Sequence, residues 1–156
     1  TAHVDMPEAL LKCEYDRTLG LLAVLDSESA IPAPGGVQNP NESLQFVADN
    51  YMKGISHLPA LTLHFSPAFS EQHWDDEPHA LHQLLIKHAQ PFLGHARIME
   101  SQVKKWRFAT PRTPWPQRIW QHESLVIAGD AMSGPKVEGA ALSGLAAANA
   151  ISELPN

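Results

Sequence analysis

The segment that most constrains the fold of this 156-residue chain is residues 125–151, which read LVIAGDAMSGPKVEGAALSGLAAANAI. Its first three residues are apolar and are followed closely by a Gly-Asp pair, a pattern that predicts a short strand buried on both faces. Gly134 and Pro135 then interrupt the backbone, and helical spacing begins at Val137. The segment therefore predicts a strand, a glycine-containing loop and a helix.

The predicted helix has few polar residues after Glu138, which is typical of a helix that is buried all round. Small residues recur in it at three- and four-residue spacing, and they form a smooth stripe: Gly139, Ala140, Gly144 and Ala147. Each interior glycine costs about 1 kcal/mol relative to alanine. We expect close packing of this stripe against a sheet or a ligand to offset that cost.

The amino end of such a helix also favours negative charge. Its first N–H groups have no partner within the helix, and the helix dipole places partial positive charge there, so phosphates and other anions bind at such ends. Two interpretations of the segment follow from its spacing. One is a buried strand-loop-helix corner with a purely structural role, and the other is a binding site for an anionic group.

The stretch GDAMSGPKVEGAALSG resembles the C-terminal flavin-binding signature of FAD-dependent oxidoreductases of the flavin amine oxidase class, especially the renalase-like branch. Three further segments resemble that branch in the same order, namely residues 15–26, 32–50 and 103–116. The resemblance implies that Asp130 lies by the ribityl-phosphate part of FAD and that Gly129, the residue before it, is also a cofactor-binding residue. It also implies that the first helical turn points its N–H groups at the flavin ring, through Val137, Glu138, Gly139 and Ala140.

The resemblance further implies the activity. A small reduced donor, either a dihydronicotinamide isomer or an amine, passes a hydride to the flavin, and oxygen then reoxidises it. Trp106 and Arg107 are the expected substrate-pocket residues, because an aromatic ring can wall a flavin or nicotinamide and a guanidinium can hold an anionic group. Strand alternation offers another interpretation, in which Trp106 and Phe108 are core residues and Arg107 points to water.

The sequence departs from the family in one respect. Such enzymes carry a G-x-G-x-x-G turn that cradles the pyrophosphate, and the 156 residues contain none. We therefore expect this chain to be the C-terminal portion of a longer protein, with the dinucleotide-binding half as its partner. The competing hypothesis is a non-catalytic module that binds no FAD by itself and self-associates through its apolar C-terminal helix.

The rest of the chain predicts an α+β fold with a mainly antiparallel sheet. Apolar or alternating runs predict strands at residues 19–25, 44–48, 61–65 and 97–108. Residues 75–78 (DDEP) predict the start of a helix that ends near Gly94, and the proline-rich residues 110–116 predict a rigid loop. We expect a substrate-binding sheet domain at residues 1–120, and the C-terminal strand, loop and helix of an FAD-binding Rossmann-like domain at residues 121–156.

Composition narrows the class of protein. A formal charge of −6 disfavours a nucleic-acid surface, and no apolar run reaches the roughly 18 residues that a membrane span needs. The single cysteine, Cys13, excludes an internal disulfide and favours a reducing compartment, so we expect a cytoplasmic protein. His79, His82 and His88 recur at near-helical spacing, but histidines on a solvated helix face need no ligand role, and we assign no metal.

Overall fold

The computed structural model describes residues 4–153. Its helices are α1 (Glu8–Leu11), α2 (Pro67–Gln72), α3 (Pro78–Leu93) and α4 (Val137–Ser152). Its strands are β1 (Tyr15–Leu25), β2 (Gly36–Gln38), β3 (Leu44–Asp49), β4 (Ala60–Phe65), β5 (Ile98–Pro111), β6 (Trp120–His122) and β7 (Leu125–Ile127). Helices combine with antiparallel strand pairs, which confirms the predicted α+β class.

The described chain divides into two compact units. One, here called the sheet unit, is Arg17–Arg107, and the other, the helix unit, joins the described residues before Arg17 to those after Arg107. Residues 108–120 therefore group with the C-terminal elements in this division. The boundary predicted between residues 120 and 121 stays a prediction about the parts of a larger protein.

The sheet unit is built on a five-stranded sheet of order β2-β3-β4-β1-β5, in which β4 pairs antiparallel with both β1 and β3. Alternate residues of β1 and β4 are buried in one core, among them Leu19, Leu21, Leu63 and Phe65. The strands predicted at residues 19–25, 44–48 and 61–65 are confirmed by the structure. The buried residues of α3 belong to the same core: Leu81, Leu85, Ala89 and Leu93.

Helix α3 begins and ends where its capping residues predict. The Glu77 carboxylate accepts the N–H groups of His79 at 3.0 Å and Ala80 at 2.8 Å, and Gly94 follows the last helical residue with φ of +64°. The preceding helix α2 was not predicted, although Ser66 and Pro67 form its N-cap and first residue. Its buried Ser70 accepts the N–H of Leu19 at 2.9 Å, which ties α2 to β1.

Two histidines of the sheet unit, His64 and His88, pack against aromatic rings, and their burial predicts that the stability of this unit depends on pH. The ring centroid of His88 lies 4.9 Å from that of Phe69, and burial lowers the pKa of His88 below 6.5, helped by the charges of His73 and Lys87. Burial likewise lowers the pKa of His64. Because the unfolded chain then binds more protons, we expect the free energy of unfolding to fall as the pH drops below 6.5 toward the folded pKa values.

Urea unfolding between about pH 5 and pH 8 measures this effect, with His88→Gln expected to flatten the pH slope. Asp26 and Glu77 do not titrate within this pH interval. N–H groups of Arg97 hold the pKa of Asp26 below 3.8, and the N–H groups of His79 and Ala80 hold the pKa of Glu77 below 4.5. His57→Gln, at an exposed histidine, is the control. An equal slope in the wild type and His88→Gln would contradict this account.

The helix unit contains a second sheet, in which β6 pairs antiparallel with β7. The prediction that residues 125–127 form a strand is confirmed, but burial on both faces is wrong, because Leu125 is 40% exposed and the other two residues are half-buried. A two-stranded hairpin covers less of β7 than an interior position in a parallel sheet would. Alternation and apolar content alone do not distinguish these two environments.

Helix α4 starts at Val137, as predicted, but it is not buried all round in this chain. Ser143 is its one buried residue within the described part, whereas Val137 is 90% exposed and Leu145 is 64% exposed. The described residues therefore leave the apolar surface of α4 largely uncovered. No helix within residues 4–153 combines the length and apolar character needed to cross a bilayer.

Candidate functional site

The Gly129–Asp130 turn follows β7 and has a backbone that favours glycine. Gly129 has φ of +143°, and a Cβ placed there would meet no atom within 4 Å. The carbonyl of Gly129 accepts the N–H of Met132 at 3.2 Å, which closes the turn around the exposed Asp130. The turn therefore presents a carboxylate beside open space.

The proline-rich segment that precedes β6 holds this turn in place. The N–H of Trp115 donates to the carbonyl of Ala131 at 2.7 Å, and the N–H of Ser133 donates to the carbonyl of Trp115 at 2.6 Å. Between these two bonds Met132 is buried. The predicted rigid loop thus braces the Asp130 turn, although β5 extends through Pro111, so the irregular backbone starts later than residue 110.

The first turn of α4 is open to solvent and has no side-chain cap. Lys136 is the N-cap residue, and its side chain makes no capping hydrogen bond. Glu138 is exposed in this turn, where a carboxylate stabilises the helix dipole. A Cβ at Gly139 would overlap the carbonyl oxygen of Gly134 and lie 2.9 Å from its carbonyl carbon, so only glycine fits that position.

A cleft of about 390 Å³ within the helix unit includes the Gly129–Asp130 turn. Cys13 and Tyr15 also line it. Burial, together with the thiol of Cys13 and the charge of Asp130, raises the pKa of Tyr15, so its phenol stays protonated. Trp115 lines the same cleft, and its indole Nε1 is buried without a hydrogen-bond partner among residues 4–153. The residues that line this cleft therefore include two of the predicted cofactor residues.

The other predicted cofactor residues lie elsewhere in the helix unit. They form the first turn of α4 and do not line this cleft: Val137, Glu138, Gly139 and Ala140. The amide of Ala140 donates to the Lys136 carbonyl at 2.9 Å, as the first bond of the helix. The six predicted cofactor residues therefore form two groups. Gly129 and Asp130 line the cleft, and the other four form the first turn of α4.

An aromatic row lies on the face of the main sheet that is turned away from the core. Phe46, His64 and Gly20 are aligned across β3, β4 and β1, and His64 and Gly20 each lie between two core residues of their strand. The Trp106 ring completes the row, because a Cβ at Gly20 would lie 3.4 Å from its Cζ3 atom. The rings of His64 and Trp106 meet edge to face at 5.1 Å.

Trp106 is 41% exposed, so the interpretation of Trp106 as a core residue is wrong. Phe108 is even more exposed, and its ring packs edge to face on Tyr15 at 5.7 Å. Gly20 has no side chain, so the indole of Trp106 lies directly against the sheet backbone, and its other side stays accessible. This arrangement suits a planar ring that stacks or packs against an aromatic wall.

His64 is the residue of this row that sequence reasoning missed. It is half-buried, burial lowers its pKa, and its ring makes no hydrogen bond to any other residue within 4–153. Near neutral pH it is therefore an uncharged imidazole that can donate from one nitrogen and accept at the other. Alternation in LTLHF could have identified it, since His64 lies between the buried Leu63 and Phe65.

Trp106 and Arg107 do not form a combined pocket. As successive residues of β5 they point to opposite faces of the strand. Arg107 is exposed, and it makes no ion pair with any residue that the structure describes. The alternative prediction that Arg107 points to water therefore describes it correctly in this chain.

The histidines of α3 do not converge on a metal. His82 Nε2 lies 2.7 Å from Ser101 Oγ, His79 is exposed, and His88 packs on the rings of Phe65 and Phe69. In the part of the chain that the structure describes, no three His, Cys, Asp or Glu side chains are grouped to hold a metal ion.

A comparison with protein-family models found no matching family, and a comparison with curated proteins found no match. The resemblance to flavin amine oxidases therefore stays a prediction from the motif, and its consequences are taken up as a proposal.

Proposed function

We propose that this chain is part of an FAD-dependent oxidoreductase of the renalase-like branch of the flavin amine oxidase class. The observation that carries the proposal is the Gly129–Asp130 turn, an exposed carboxylate on a glycine-specific backbone next to open space. It lies in the stretch that resembles the flavin-binding signature.

The residues of the helix unit are compatible with FAD. The Asp130 carboxylate can accept hydrogen bonds from ribityl hydroxyls, and the lack of a Cβ at Gly129 leaves room for a close approach. The uncapped amide groups at the start of α4 can stabilise negative charge on the flavin ring. FAD, when bound, supplies the hydride acceptor and returns the electrons to oxygen.

In this proposal the sheet unit carries the residues that bind the donor. Trp106 offers an aromatic surface for a small planar donor, and neutral His64 offers a hydrogen bond without adding charge. A dihydronicotinamide becomes a cation as it loses hydride, and a neutral His64 does not repel the positive charge that develops on it. We assign no acid or base, since Glu138 is an exposed helix-end carboxylate and hydride transfer needs no proton-transfer residue.

The pyrophosphate-binding half comes from outside these residues in this proposal. The family uses a G-x-G-x-x-G turn for it, and the 156 residues contain none. The uncovered apolar surface of α4, with Gly144 open on one side, is the surface that we propose packs against that half. The same proposal assigns α4 to a Rossmann-like domain and the whole protein to the cytoplasm.

The second candidate is a non-catalytic module that self-associates through α4. The exposed apolar residues of α4 favour it, since such a surface promotes association. Sedimentation velocity of the chain with and without Leu145→Glu distinguishes the two. Concentration-dependent dimers that the charged variant abolishes, in a protein that binds no FAD, would favour the module.

Flavin binding tests the proposed function directly. We expect the natural protein that contains this chain to purify with flavin absorbance, and Asp130→Asn to weaken FAD binding by about tenfold, as the loss of a charge-assisted hydrogen bond predicts. Glu153→Gln, at the exposed carboxylate that follows α4, is the matched control and should bind FAD nearly as the wild type does. A colourless protein that gains no flavin absorbance on titration with FAD would overturn the proposal.

A further inference from the structure

Ser143 is the one buried residue of α4 in the described chain, and the rest of the helix is half-buried or exposed. Its hydroxyl accepts the N–H of Gly129 at 2.9 Å and donates to the carbonyl of Arg118 at 2.5 Å. A single hydroxyl in the second turn of the helix therefore connects α4 with the candidate turn and with the segment that precedes β6. Both hydrogen-bonding capacities of the hydroxyl are used.

The hydrogen bond from the Gly129 N–H to the Ser143 hydroxyl holds the peptide group between Ala128 and Gly129, where the chain enters the turn. Gly129 has a backbone conformation that only glycine adopts readily, and nothing lies within 4 Å of its Cβ position to restrain it by packing. Glycine loses more conformational freedom on ordering than any other residue. The hydroxyl of Ser143 supplies the restraint that packing does not, at the residue before Asp130.

We propose that Ser143 is a positioning residue for the Asp130 carboxylate, and that its hydroxyl orders the Gly129–Asp130 turn before a ligand binds. This inference rests on the proposed function for the identity of the ligand, FAD. Pre-ordering a loop strengthens binding because the loop then loses less conformational freedom in the complex. Ser143 touches no ligand in this role, and it acts through the peptide of Gly129.

The test compares Ser143→Ala with Ser152→Ala, which makes the same change on the same helix. Ser152 is exposed and bonds only to the Asn149 carbonyl of its own helix. In this chain, amide hydrogen exchange at Gly129 should accelerate by roughly 5- to 10-fold in Ser143→Ala, as expected for one lost hydrogen bond. Exchange in the middle of α3, and exchange at Gly129 in Ser152→Ala, should match the wild type.

The second readout is FAD affinity in the natural protein, where Ser143→Ala should weaken binding by about tenfold while the thermal midpoint of the sheet unit stays unchanged. Ser143→Cys, whose thiol fills similar space but accepts hydrogen bonds weakly, replaces Ser143→Ala if the alanine variant does not fold. Unchanged exchange at Gly129 overturns the inference, and so does faster exchange with unchanged FAD affinity.

If the wild type binds no FAD, the proposed function fails, and the exchange at Gly129 alone then decides whether Ser143 orders the turn. The two failures are therefore separate. Faster local exchange in a protein without flavin keeps the ordering role and removes its ligand, whereas a flavoprotein with unchanged exchange keeps the ligand and removes the role.

Discussion

Replacing Gly139 with alanine is expected to weaken FAD binding on the order of a hundredfold and to destabilise the helix unit. The new Cβ would overlap the carbonyl oxygen of Gly134, and the atoms nearest to it belong to backbone that cannot rotate away. The loop before α4 must therefore shift. Strain or overpacking of this kind costs about 2–3 kcal/mol, which corresponds to roughly 30- to 150-fold in an equilibrium constant.

The shift would also move the amides that the proposal assigns to the flavin. Lys136, the N-cap residue, lies between Gly134 and the first turn, so a displaced Gly134 carries the N-cap with it. FAD titration of the natural protein measures the first effect. Urea unfolding of this chain, followed through the tryptophans, measures the second.

Gly144→Ala is the matched control for Gly139→Ala. It makes the same change in the same helix, but a Cβ at Gly144 meets nothing within 4 Å in this chain. Alanine should therefore stabilise the chain by about 1 kcal/mol, through helix propensity alone. If Gly139→Ala were as stable as Gly144→Ala and bound FAD normally, the contact between Gly134 and Gly139 would not control the helix end.

Local sequence signals predicted the sheet unit well because each signal has a local cause. Glu77 caps α3 through its own side chain, and Gly94 ends the helix through its own backbone, so neither depends on distant residues. The alternation in β4 records which face of the strand meets the core, and the apolar run in β1 records that the strand lies inside the sheet. Helix α2 was missed because its six residues are too short for helical periodicity to be visible.

Burial in the helix unit could not be predicted because it depends on what packs there. The apolar run of β7 and the smooth surface of α4 read as buried, yet both are substantially exposed within this chain. Hydrophobicity in a sequence reports the environment for which a segment is suited. It does not report whether the covering element lies within the same 156 residues.

The candidate site was predictable in part. The Gly129–Asp130 turn was found from its spacing and from the resemblance, whereas the connection of Ser143 to Gly129 joins residues that no periodic pattern links. His64 was missed because its partners Gly20 and Trp106 lie 44 and 42 residues away in the sequence, a separation that only strand register brings together. From the sequence alone, a glycine at position 20 is expected to destabilise the strand. The structure shows that its missing side chain leaves room for the indole of Trp106.

Replacing Trp106 with alanine is expected to lower kcat/KM for a dihydronicotinamide donor by roughly 30-fold, chiefly through a higher KM. The indole is the largest apolar surface of the aromatic row, and losing ring contact with a planar donor costs about 2 kcal/mol. His64 would also lose its ring neighbour at 5.1 Å. Steady-state kinetics of the natural protein, with the donor varied at fixed oxygen, measures the change.

Met99→Ala is the control for Trp106→Ala, since it removes an exposed apolar side chain from the same strand, β5. It should leave kcat and KM unchanged within about twofold. Gly20→Ala tests the position of the Trp106 ring while the ring is still present. The new methyl group would lie 3.4 Å from the indole and could shift the ring without removing it. A KM that rises in Gly20→Ala as well as in Trp106→Ala indicates that the ring must lie against the sheet to bind the donor. Normal kinetics in Trp106→Ala would show that the donor is bound elsewhere, because no other residue of the row offers a comparable exposed ring.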